Sequence, residues 1–101
     1  MDDQIEWSRS AISDLRSLVH YIARDDGKTA ERFGNRIVAK IAAIATFPHT
    51  GRIVPEFHQE PLREVILPPY RLIYEVDDQH HRIYVLRIWH GARGDPAIDA
   101  E

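Results

Sequence analysis

The hydrophobic spacing of this chain changes character once, and that change limits what it can fold into. From Ile12 to Ile44 apolar residues recur at three- and four-residue steps, whereas from Leu62 to Trp89 they alternate or run together in short blocks. The first pattern specifies amphipathic helices and the second specifies strands. Ile12, Leu15, Leu18, Val19 and Ile22 make one helical stripe, with Ser8 as its N-cap, and predict a helix over residues 9–24. Ala30, Phe33, Ile37, Ile41 and Ile44 make a second, for which Thr29 is the expected cap. That helix must stop near Phe47, because Pro48 disfavours the helical conformation in the residue before it. A connection of about four residues forces the two helices into an antiparallel hairpin.

The extended part divides at its turn residues. Residues 48–61 hold Pro48, Gly51, Pro55 and Pro61 and read as a loop. "LREVIL" (62–67) reads as a strand stopped by Pro68 and Pro69; "YRLIYEV" (70–76) and "RIYVLRIWH" (82–90) follow as strands joined through "DDQHH". Leu72, Tyr74 and Val76 should face the helices, and Arg71, Ile73 and Glu75 should face away. In the last strand Tyr84, Leu86 and Ile88 form one face and Ile83, Val85, Arg87 and Trp89 the other. Both are largely apolar, as expected of a central strand. "QIEW" (4–7) adds a short N-terminal strand. The expected fold is therefore α+β: a strand, a helical hairpin, then a three-stranded antiparallel meander, with the helices on one face of a four-stranded sheet. At 101 residues the chain suits one domain, taken as residues 1–94, followed by an acidic flexible tail at 95–101.

Composition excludes several functions. There is no cysteine, which removes disulfides and thiolate metal sites. The N-terminus is acidic and polar where a secretion signal would be basic then apolar, and no apolar run reaches the roughly 18 residues of a membrane span, so the cytoplasm is expected. The six histidines, His20, His49, His58, His80, His81 and His90, include no helical i, i+4 pair, and no metal or other cofactor is expected. Gly-rich phosphate loops and G-x-S-x-G are absent. The net charge of −3 comes wholly from Asp95, Asp99 and Glu101, since residues 1–94 carry 13 basic and 13 acidic side chains. Eleven of the 13 basic residues are arginine, a side chain suited to bidentate contact with anions but also to generic surface charge. Arg52, Arg63, Arg71, Arg87 and Arg93 cluster in the C-terminal half. Arg71 and Arg87, with Trp89 nearby, fall on the sheet face expected to be open. That face could hold phosphates and bases, or could be kept soluble by pairing with carboxylates. Glu56, Glu60 and Glu64 include a possible general base or are simply solvated. From the residues alone both pairs of readings stay open.

The segments "IEWSRSAISDLRSLVHYIARDDGKTAERFGNRI", "FPHTGRIVPEF", "LREVILPPYRLIYEV" and "IYVLRIWHGAR", in this order, resemble the RelE/ParE superfamily of bacterial toxins, and within it the ParE-like branch. The resemblance covers residues 5–93, and "REVILPPYRLIYEV" and the closing "HGAR" are its most specific parts. It implies the toxin of a type II toxin-antitoxin pair, held in a hetero-oligomer by a cognate antitoxin. It also implies growth inhibition by binding DNA gyrase, with no chemistry of its own. The alternatives are a RelE-like endoribonuclease that cuts mRNA on the ribosome, or a non-toxic binding member of the fold. Matched position by position, Arg71 and Arg93 correspond to arginines that hold phosphate in the nucleases, and His90 lies where some place an acid or base. These three are the catalytic candidates if the chain is a nuclease. Arg63, Arg71, Ile73, Arg87, Trp89 and Arg93 are the expected target- or antitoxin-binding residues, with Gly91 as the bend that presents Arg93. "GDPAIDAE" lacks the tyrosine that RelE-like nucleases usually carry beyond the last arginine, and no lysine follows Lys40. Both departures favour binding over cleavage.

Overall fold

A computed structural model of the protein describes residues 2–98. β1 (Gln4–Trp7) leads into α1 (Arg9–Ala23) and α2 (Gly27–Ile44), followed by β2 (Arg52–Ile53), β3 (Leu62–Leu67), β4 (Tyr70–Asp77) and β5 (Arg82–His90). The strands form one mixed sheet in the order β1-β5-β4-β3-β2, with β1 parallel to β5 and the other pairs antiparallel. The α+β class and the helical hairpin are as the sequence specifies, but the sheet has five strands rather than four. The additional strand, β2, lies inside the stretch read as loop. Two residues opposite Glu64 and Arg63 are too few for periodicity to register.

Ser8 caps α1 as expected, its hydroxyl oxygen accepting from the Ala11 N–H. α2 is capped by Asp26 rather than Thr29: the Asp26 carboxylate accepts from the Lys28 and Thr29 N–H groups and from the Thr29 hydroxyl. This starts the helix three residues earlier, while its end falls at Ile44 rather than near Phe47.

Leu18, Ile37, Ile41 and Ile44 of the helices pack on Leu72, Tyr74, Val76, Ile83, Val85 and Ile88 of the sheet. The presence of both Val85 and Ile88 in this layer shows that alternation fails in β5. Ile73 opposes Arg87 and Tyr74 opposes Val85, so Leu86 is an extra residue in a β-bulge. Beyond it the faces exchange. Ile88 therefore joins Ile83 and Val85 against the helices, and Leu86 packs with Trp89 on the far side.

The far side is not open. Ile73 and Trp89 are 0% and 3% exposed, because Val54, Leu62, Phe57 and Ile98 close over them as a second apolar cluster. Ile98 belongs to the segment expected to be a frayed tail; through this residue the chain is docked, with the Ala97 carbonyl accepting from Arg87 at 2.8 Å. Residues 99–101, the rest of that expected tail, lie outside the described residues. Among the described residues no helix is long and apolar enough to cross a membrane.

Candidate target-binding site

The hairpin through Pro68 and Pro69 sets the register of β3 on β4, with Leu67 opposite Tyr70 and Glu64 opposite Ile73. That places Glu64 and Arg71 diagonally on the same sheet face, the separation at which long side chains meet. The Arg71 Nε donates to Glu64 at 2.7 Å. Its two terminal nitrogens donate to the two carboxylate oxygens of Glu56, at 2.9 and 2.6 Å. Glu64, with a side chain 0% exposed, also accepts from Arg52 at 2.6 Å. Arg52, Glu64, Arg71 and Glu56 thus form a continuous chain of ion pairs from β2 across β3 and β4 to the loop. The Glu56 hydrogen bonds raise the Arg71 pKa further, and the Arg71 hydrogen bonds hold the Glu56 carboxyl below its ordinary value.

The other arginines expected to bind a partner divide in the same way. Arg63 donates to the Gly51 carbonyl at 3.0 Å and pairs with Glu60 at 3.2 Å. Arg87 forms a fork with Asp14 of α1, at 2.8 and 2.9 Å, and its guanidinium lies 4.9 Å from the Trp89 ring centre. Arg93 differs. It lies in a short 3-10 turn, Gly91–Arg93, with its guanidinium 4.0 Å from the same ring and exposed. It has no carboxylate partner among the described residues. The indole of Trp89 is fixed beneath it by a 3.1 Å hydrogen bond from Nε1 to the Gly94 carbonyl.

His90 caps this turn: its Nδ1 accepts from the Ala92 N–H at 3.0 Å, and its ring meets Tyr70 edge-on at 5.1 Å. The glycine with left-handed backbone is Gly94, at φ 84°, not Gly91. Gly91 instead donates to the Pro69 carbonyl, where a Cβ would sit 3.2 Å from that oxygen. The structure therefore brings Arg93, Trp89 and Arg87 together, sets Arg71 and Arg63 in separate ion pairs, and buries Ile73. Sequence reasoning missed Glu56, Glu64 and Asp14 as arginine partners, although the two-residue Pro hairpin fixes the Glu64–Arg71 diagonal.

A helical hairpin on one face of this mixed sheet is the RelE/ParE-like architecture of bacterial toxins. Solved structures share it. The chromosomal ParDE toxin-antitoxin system of P. aeruginosa matches with a TM-score of 0.70 at 22% identity, over 87% of this chain and 95% of that one. The E. coli toxin RelE, as a double mutant in the free state, matches at 0.62 and 15% identity, over 93% and 88%. The RelBE2 toxin-antitoxin complex of Mycobacterium tuberculosis matches at 0.53 and 20%, over 89% and 99%. No curated protein matches the chain. A family model described as the ParE toxin of the type II toxin-antitoxin system parDE matches residues 5–94. The chain belongs to the ParE toxin family.

Proposed function

We propose that this ParE-family toxin arrests growth by binding a protein target, DNA gyrase, in the cytoplasm, and that a cognate antitoxin neutralises it. The observation that carries this reading is the state of Arg71. A nuclease needs that guanidinium free to meet a phosphate, yet each of its three nitrogens already donates to a carboxylate. Two flanking carboxylates would repel an incoming phosphate, whose contacts dominate affinity for RNA. Arg93 remains as an exposed cation on a rigid aromatic base, a combination common at the centres of protein interfaces. A cognate antitoxin is supported by the ParDE and RelBE2 relatives, both described as toxin-antitoxin systems or complexes.

The test is to add the purified toxin to gyrase in a supercoiling assay, and separately to ribosomes carrying mRNA. Inhibited supercoiling with intact message is the expected outcome. Message cleavage with unimpaired supercoiling would replace this reading with the endoribonuclease, and induction without growth arrest would replace it with a non-toxic member of the fold.

A further inference from the structure

The cations of α2 are placed differently from those of the sheet. On the sheet Arg52, Arg63, Arg71, Arg82 and Arg87 are each held by a carboxylate. Along α2 Lys28, Arg32, Arg36 and Lys40 recur at four-residue steps and are all exposed. None of the four has a carboxylate partner among the described residues. Side chains four apart are neighbours on a helix surface, so the four form one continuous row.

The acidic groups of the hairpin lie elsewhere. Glu31, the only carboxylate of α2, turns with Val38 to the groove against Leu15 and Val19 of α1, whereas Lys40 and Ala43 border the opposite groove, beside β3. Asp25 and Asp26 precede the helix and offset Lys28 alone. Arg32, Arg36 and Lys40 are left as uncompensated charge. Arg36 is anchored in the middle of the row, its guanidinium 5.9 Å from the centre of the Phe33 ring, which in turn packs on Tyr70 at 5.7 Å.

Spacing and shape select the partner. Arg32 to Lys40 spans about 12 Å of helix, a length over which one DNA strand presents about three phosphates. Ala39 and Ala43, both exposed, follow Arg36 and Lys40 by three residues and so lie beside them. They leave no bulk to hold a duplex away from the helix and little apolar surface for a peptide to bury. Phe33 is covered by Arg36 and Tyr70, so no ring on this row is free to stack an unpaired base. The net charge of −3 does not oppose the contact, because at about 0.1 M salt exposed charges are screened beyond about 10 Å.

We propose that this row is a sequence-independent contact for the backbone of duplex DNA, with Arg32, Arg36 and Lys40 each meeting a phosphate. The contact is additional to the binding of a protein target and does not depend on which protein that is.

The test measures fluorescence anisotropy of a labelled DNA duplex of arbitrary sequence with the full-length toxin. For three phosphate contacts, raising salt from about 50 to about 200 mM should weaken binding about 40-fold. Replacing Arg32, Arg36 and Lys40 together by glutamine alters exposed side chains only, and circular dichroism checks the fold. This triple variant should bind roughly tenfold more weakly at the lower salt and lose most of the salt dependence. Ala39→Arg adds a cation to the row and should tighten binding and steepen the salt slope by about one, a gain that misfolding cannot produce. No binding by the wild type at the lower salt, or binding that neither variant changes, would overturn the proposal. Tighter binding of an RNA duplex of the same sequence would assign the row to RNA and overturn it. A triple variant that binds DNA normally but loses affinity for the antitoxin would assign the row to an acidic protein, with the same result.

Discussion

Arg71 and Glu56 meet fork to fork, through hydrogen bonds of 2.9 and 2.6 Å, while the Arg71 Nε holds the fully buried carboxylate of Glu64. Arg71 is therefore a structural member of the sheet. Arg71→Ala leaves Glu64 with Arg52 alone and should lower stability by about 3 kcal/mol, read as a fall in the urea midpoint. Arg71→Glu adds a third carboxylate to the cluster and should cost at least as much. Lost toxicity or a weaker antitoxin complex in either variant would report damage to the fold. An unchanged urea midpoint would show that the network contributes nothing to folding.

The same pair gives stability a dependence on acid. Arg71 holds the Glu56 carboxyl below its ordinary value in the folded protein, so the folded state binds this proton less readily than the unfolded state does. The stabilisation is complete above the unfolded value of about 4.3 and is lost as pH falls through the lower folded value. Asp77, lowered by its hydrogen bond to His80, contributes in the same direction. Wild type should exceed Glu56→Gln in urea midpoint at pH 7, and the gap should close below about pH 4. A gap of constant size down to pH 3 would show that the ionised pair is not its source.

Arg93 should behave in the opposite way from Arg71. Its guanidinium is exposed over Trp89, so Arg93→Ala should change stability by no more than about 1 kcal/mol. If it contacts the target, the concentration needed to inhibit gyrase should rise by roughly tenfold. Normal inhibition by a folded Arg93→Ala protein would move the target contact elsewhere on the surface.

The helices, the three long strands and the inward set Leu72, Tyr74 and Val76 were legible because each repeats one spacing over several turns or residues. What escaped was non-repetitive. Alternation cannot reveal a bulge, so Ile83 and Val85 were grouped with Arg87 and Trp89 on the face turned away, although they pack against the helices. A two-residue strand has no period, so β2 and the closure of Val54 over Ile73 were hidden, and the face holding Arg71 was read as open. The arginine cluster was visible as composition. Which of its members were already engaged depended on Asp14 and Glu56, which are 73 and 15 residues from their partners. Capping chemistry favours Asp at least as strongly as Thr, so Asp26 could have been read from the sequence.

The bulge itself makes a test. An extra residue leaves a carbonyl without a ladder partner, and here the Leu86 carbonyl accepts from the Ser8 hydroxyl at 2.9 Å. The same oxygen of Ser8 accepts from the Ala11 N–H at 3.0 Å to cap α1. One hydroxyl thus serves both the helix and the sheet, which three replacements separate. Thr keeps both bonds and should remain near wild type. Ala loses both and should cost about 2 kcal/mol, roughly half from the cap and half from the carbonyl left part-buried. Asp can cap the helix, but when ionised it cannot donate to Leu86 and brings negative charge against that oxygen. Ser8→Asp should therefore be no more stable than Ser8→Ala in urea unfolding, although Asp is among the best N-caps. If Ser8→Asp instead matches wild type, the cap alone carries the effect and the bond across the bulge adds nothing.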